Sequence, residues 1–256
     1  MQDERQSAGA IQVARAYLVH VYTASGVIFA FLAAAETCAP QPDPRWAFLW
    51  LILAVLIDAT DGVLARRWHV KTLAGRIDGR TIDDIVDYLT FTFIPLLLVW
   101  RMGWLPSPAG LWAAPAMLVS LLGFANTGAK QEDDGFFLGF PSYWNIYALY
   151  AGLWSMRFGP WLPAAVLAAL TLLTVLPVRF IYPTLAPRPW RLPVLLGGVA
   201  WLAMLIAMLP RYPKAPVWLE ILSLIYPALY VGLSLYLDLR ARQRRAAEVA
   251  ADAPDR

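Results

Sequence analysis

Four aspartates stand where an apolar chain should carry none: Asp58, Asp61, Asp83 and Asp87 fall at the facing ends of two hydrophobic segments. Asp58 and Asp61 are three apart and Asp83 and Asp87 four, so on helices each pair projects from one side. Ionisable groups at membrane depth are costly and as a rule functional. Four converging anions repel one another unless cations neutralise them, and hard divalent ions prefer all-oxygen ligands. A metal site is the natural resolution. Two ions suit four carboxylates better than one, and ions paired about 3.5–4 Å apart recur in phosphoryl chemistry. Arg66 lies one helical turn from Gly62, while Gly62 and Ala65 remove side-chain bulk beside it, which suggests a slot for a pyrophosphate. Gly79, one turn before Asp83, can serve the same purpose on the facing helix.

The elements that position these groups follow from composition. With 59% hydrophobic residues, 15% charged and a mean hydropathy of +0.54 over 256 residues, a soluble domain is excluded. Apolar runs long enough to cross about 30 Å of hydrocarbon, each needing roughly 20 residues, recur along the chain. They predict an all-α polytopic membrane protein of about eight transmembrane helices, over 15–35, 46–66, 81–101, 108–128, 142–157, 161–179, 193–210 and 217–238. The fifth is short and carries Asn145, so a merger with its neighbour would leave seven. Prolines mark the connections: Pro40, Pro42 and Pro44, then Pro106 and Pro108, then Pro187, Pro189 and Pro193.

Most of the 21 Lys and Arg residues fall on one side of this arrangement, the side that holds the aspartates. The positive-inside rule makes that side cytoplasmic, with both termini and a polar active-site cavity facing the cytosol. The layout is then a cytoplasmic segment over 1–14, a membrane domain over 15–240 and a polar tail over 241–256. The start MQDERQSAGA lacks the look of a removable signal, and the single Cys38 excludes a multi-cysteine metal site. The net charge of +3 points to anionic head groups of membrane lipids rather than nucleic acid.

Asp58, Asp61, Gly62, Ala65, Arg66, Gly79, Asp83 and Asp87 together resemble the signature of the CDP-alcohol phosphotransferases, D-x-x-D-G-x-x-A-R followed by G-x-x-x-D-x-x-x-D. The usual spacer of eight would select Gly75, but an aspartate would then have to stand at 79, which is glycine. A spacer of 12, residues 67 to 78, restores every position and resembles the bacterial phosphatidylcholine synthase branch. HVYTASG in the first helix and GAKQEDDGFFLGFPSYWN before the fifth also look like that branch.

The resemblance implies transfer of the phosphatidyl group of CDP-diacylglycerol to choline, with Mn²⁺ or Mg²⁺ bound by Asp58, Asp61, Asp83 and Asp87. It implies that Asp87 is the general base, that Asp61, Gly62, Ala65, Arg66 and Gly79 hold the CDP part, and that the protein sits in the bacterial inner membrane as a homodimer. Thr23, in the first helix, is a further candidate for the nucleotide, and His20 beside it has no assigned role. A quaternary ammonium has no hydrogen-bond donors and is held by aromatic faces. Phe136, Phe137, Phe140, Tyr143 and Trp144 are the candidates, with Phe140, Tyr143 and Trp144 foremost and Glu132, Asp133 or Asp134 adding negative potential. Interfacial aromatics also anchor helices for packing reasons alone.

Asp78 and Asp84 are out of phase with the signature and read as solvated or capping residues. Lys71 and Arg76 suit a positive-inside loop, while Arg179 and Tyr182 are expected to end the sixth helix. Two other functions remain open: transfer to serine, glycerol 3-phosphate or an inositol phosphate, and a cation-coupled transporter. The acidic stretch before the fifth helix favours a cationic acceptor over an anionic one. The clustering of carboxylates at one face, without an internal repeat, disfavours a transporter.

Overall fold

Asp43 and Pro44 begin the helix that carries the first aspartate pair: the Asp43 carboxylate accepts from the Arg45 amide at 3.0 Å, and Pro44 occupies the first turn, where no amide donor is needed. This helix is one of eleven among the described residues of the computed structural model, which are 9–126, 128, 130–131 and 135–252. They are α1 (Ala10–Ala24), α2 (Gly26–Cys38), α3 (Pro44–Arg67), α4 (Val70–Leu73), α5 (Gly79–Asp87), α6 (Ile94–Arg101), α7 (Gly110–Ala125), α8 (Trp144–Phe158), α9 (Trp161–Val175), α10 (Arg191–Met208) and α11 (Val217–Asp252). A π-helical stretch, Tyr88–Phe93, joins α5 to α6.

Each of the eight expected segments contains a helix. Four spans are long and apolar enough to cross a membrane: Ala10–Cys38, Pro44–Arg67, Arg191–Arg211 and Val217–Gln243. The apolar α7 and α9 are shorter, with 16 and 15 residues. Large apolar side chains point outward along the helices, among them Leu18 and Phe31, Leu118, Leu196 and Val199, and Ile221 and Leu229. Such a surface is stable in lipid and not in water, and the chain is an integral membrane protein.

The chain forms two compact units. The first comprises the chain up to Leu121 together with Tyr143–Ala164. Its centre is α8, on which Trp144, Ala148 and Ala151 are fully buried, packed against α6 and the π-helical stretch. Small residues, Ala30 and Ala33 on α2 and Ala47 and Ala54 on α3, let those two helices approach closely.

The second unit comprises Leu122–Ser142 and the chain from Ala165 onward. It holds a three-stranded antiparallel sheet, β1 (Lys130–Gln131), β2 (Phe136–Leu138) and β3 (Arg179–Ile181), in that order, with Phe137 opposite Phe180. The sheet departs from a purely helical fold. Gly135 and Gly139 bracket β2 at φ of +74° and +81°, where added Cβ atoms would strike the carbonyls of Leu185 and Thr174. Arg179 and Tyr182 do not end a helix: α9 stops at Val175 because Pro177 disfavours helical geometry before it, and the chain continues into β3. There Arg179 is buried, its Nε donating to Asp238 Oδ1 of α11 at 2.7 Å and its guanidinium lying 5.0 Å from the centre of the Phe136 ring.

Candidate active site

α3 delivers Asp58 and Asp61 in its last turns, and α5, capped at its start, delivers Asp83 and Asp87. The cap is Asp78, whose carboxylate accepts from the Arg80 amide at 3.1 Å and the Thr81 hydroxyl at 2.8 Å. The Thr81 hydrogen bond, with the Arg80 amide assisting, holds the Asp78 carboxyl below its ordinary range. Asp84 pairs with Arg80 at 3.6 Å along α5. Neither Asp78 nor Asp84 is in the carboxylate group of Asp58, Asp83 and Asp87.

One carboxylate oxygen from each of Asp58, Asp83 and Asp87 lies within 4.8 Å of the other two, and all three residues are half-buried. Two of these residues come from one helix and the third from another, so the cluster exists only when α3 and α5 are in place. Three anionic oxygens at this separation can supply part of the oxygen donor set of a hard divalent cation, and the residues fit that group. Asp61 is buried one turn beyond Asp58 and is not a member of the three-residue group.

The small residues take distinct places. At Gly62 an added Cβ would lie 3.5 Å from Arg66 Nη1, so the guanidinium lies back over the glycine. Ala65 packs with Leu64 and Trp68 against a cluster formed by Ala16, Val19, Val70, Leu73 and Ala74. Gly79 faces His20, and His20 and Thr23 both lie on the buried face of α1.

Two supports had no plain signal in the sequence. The Tyr22 hydroxyl donates to Thr60 Oγ1 at 2.7 Å, tying α1 to α3 between the two aspartates of that helix. The π-helical stretch begins directly after Asp87, and its Thr90 hydroxyl donates to the Val86 carbonyl at 2.9 Å. Single π turns within helices occur often at functional sites, because the extra residue re-aims the side chains on either side.

The aromatic candidates differ in burial and in the rings they meet. Trp144 is fully buried, its indole donating to Ser120 Oγ at 2.6 Å and standing edge-on to Tyr147. Tyr143, at the start of α8, is half-buried with its ring 6.1 Å from Phe91. The preceding Ser142 is held at φ +57°, a conformation few non-glycine residues adopt. Phe140 belongs to the second unit, edge-on to Phe180. Phe136 lies under Arg179 and Phe137 against Tyr182. Glu132, Asp133 and Asp134 lie outside the described residues.

A family model described as CDP-alcohol phosphatidyltransferase matches residues 13–229. Curated relatives carry one name. A phosphatidylcholine synthase of Pseudomonas aeruginosa is 39% identical over 174 residues, 68% of this chain and 71% of that protein. One of Mesorhizobium japonicum is 34% identical over 76% of this chain and 72% of its own length. One of Agrobacterium fabrum is 31% identical over 85% of this chain and 88% of its own.

Proposed function

The chain belongs to the CDP-alcohol phosphatidyltransferase family, and on that premise we propose that it makes phosphatidylcholine by transferring the phosphatidyl group of CDP-diacylglycerol to choline, releasing CMP. The observation that carries the reading is the convergence of Asp58, Asp83 and Asp87 from two helices, in a chain whose relatives are named phosphatidylcholine synthase.

Asp58, Asp61, Asp83 and Asp87 would hold two divalent cations, Mn²⁺ or Mg²⁺, which when bound supply positive charge beside the pyrophosphate. Arg66 lies over Gly62 where the phosphates approach α3. Gly62 leaves room for the CDP moiety, and Asp61, Ala65, Gly79 and Thr23 border it. Asp87 accepts the choline hydroxyl proton. The choline oxygen forms its bond to the lipid-bearing phosphorus as the bond from that phosphorus to the CMP oxygen breaks, and CMP leaves with the electron pair. Tyr143 offers an aromatic face to the quaternary ammonium, while Trp144 fixes the start of α8 from within the core.

In the membrane the reading comprises eight crossings, the membrane domain over 15–240 and both termini in the cytosol. The aspartates then open to the cytosolic side of the bacterial inner membrane, where choline arrives, and a homodimer is the working assembly. The test is purified protein in detergent with labelled choline, CDP-diacylglycerol and Mn²⁺, with phosphatidylcholine and CMP appearing in equal amounts. Turnover with serine or glycerol 3-phosphate but none with choline would refute the acceptor.

A further inference from the structure

The 12-residue spacer between Arg66 and Gly79 is a folded, packed turn rather than a loose loop. α3 ends at Arg67 with Trp68 as its cap, and His69, at φ +49°, starts α4, whose Val70 and Leu73 are buried with Ala74 against Ala16 and Val19 of α1. At Gly75 an added Cβ would lie 2.6 Å from the Lys71 carbonyl oxygen, so the chain closes tightly over the end of α4. It then reaches the Asp78 cap and α5 begins at Gly79.

One polar side chain links both ends of this return. His20, 5% exposed on the buried face of α1, donates through Nε2 to the Ala74 carbonyl at 3.3 Å. The adjoining Cε1–Nδ1 edge of the same ring covers Gly79, where an added Cβ would lie 2.9 Å from Cε1 and 3.1 Å from Nδ1. That is closer than real Cβ contacts come, so a larger residue at 79 would have to displace the ring. The imidazole thus sits between the exit of the spacer and the first residue of α5. Asp83 and Asp87 follow one and two turns later, about 6 Å and about 12 Å along the axis. A displacement of a nine-residue helix at its first residue passes nearly undiminished to both carboxylates.

The geometry points to His20 as a positioning residue: seated on Gly79 and bonded to Ala74, it sets where α5 starts and so where Asp83 and Asp87 meet Asp58. The inference rests on the metal-dependent transferase reading. Reacting groups misplaced by about 1 Å from a remote change can cost about 100-fold in rate. His20→Ala is expected to lower kcat by about 10- to 100-fold, with little change in KM for choline. Gly79→Ala, which pushes a methyl against the ring, is expected to lower kcat by a similar factor. In the double variant the methyl occupies the space the ring vacates, and kcat should rise at least about fivefold above that of Gly79→Ala alone. His20→Gln, which keeps a donor for Ala74, should lose less than His20→Ala.

Mn²⁺ binding supplies a readout independent of turnover. Followed by electron paramagnetic resonance without substrates, it should weaken in both single variants and recover in the double. Independent losses that multiply in the double variant would overturn the proposal. So would a lowered melting temperature with unchanged Mn²⁺ affinity and kcat, the signature of a merely structural histidine. If His20→Ala does not fold, the comparison of Gly79→Ala with His20→Gln and the Gln/Ala double decides by the same criterion. Failure of the unaltered protein to form phosphatidylcholine while it binds Mn²⁺ would sink the acceptor assignment and leave this inference standing.

Discussion

Replacing Asp87 by Asn keeps the shape of the side chain and removes one charge and one base, so its consequences can be worked from the cluster. With oxygens at most 4.8 Å apart, each pair of ionised carboxylates repels by about 3 kcal/mol at an effective dielectric constant of about 20. All three residues are half-buried, and solvent screening reduces the net relief to about 1 kcal/mol. In EDTA, Asp87→Asn is therefore expected to be more stable than the parent, melting about 2–4 °C higher. Added Mn²⁺ should reverse that order, because the parent gains the binding free energy of a divalent ion and the variant has lost one anionic ligand. Activity should fall by about 100- to 10,000-fold, the span expected for loss of a general base.

The assay is a thermal melt of detergent-purified protein in EDTA and in millimolar Mn²⁺, paired with release of CMP. Asp84→Asn, outside the cluster and paired with exposed Arg80, is the control and should change neither quantity appreciably. Should Asp87→Asn melt no higher than the parent in EDTA and gain as much from Mn²⁺, the three carboxylates do not share a cation. Normal CMP release by the same variant would remove Asp87 from the role of base.

Arg66→Lys preserves charge but loses the planar fork, and should lower kcat/KM for CDP-diacylglycerol by about tenfold with KM for choline unchanged. Tyr143→Ala should raise KM for choline by about 5- to 30-fold, Tyr143→Phe by less than twofold, and neither should alter KM for CDP-diacylglycerol. Equal effects of Ala and Phe would refute the aromatic contact. Asp238→Ala leaves the buried Arg179 without the carboxylate 2.7 Å away and is expected to destabilise the second unit by about 3–5 kcal/mol, read by denaturation followed through tryptophan fluorescence. A loss below about 1 kcal/mol would show that the pair is not holding β3 to α11.

What could be read from the amino-acid order divides along a physical line. Carboxylates in apolar helices have few explanations, so spacing alone drew Asp58, Asp61, Asp83 and Asp87 together, of which Asp58, Asp83 and Asp87 form one group in the structure, and the lengthened spacer selected Gly79 over Gly75. The structure gives that selection a mechanical reason, since Gly75 closes over Lys71 while Gly79 opens α5 beneath His20. Aromatic residues in a membrane protein have many explanations, and composition alone does not sort them. Trp144 has the composition of a choline cage but is a fully buried core residue bonded to Ser120, which no local pattern distinguishes. The small sheet was marked only by two glycines around Phe136–Leu138, and its pairing with Arg179–Ile181 spans a distance in sequence that periodicity does not register. The π-helical stretch after Asp87 has no composition of its own, because it answers to two demands at once. α5 must turn Asp83 and Asp87 toward α3, while α6 must bury Leu96, Leu98 and Val99 in the core. An uninterrupted α-helix fixes the angle between those two faces, and an added residue is how the chain changes it.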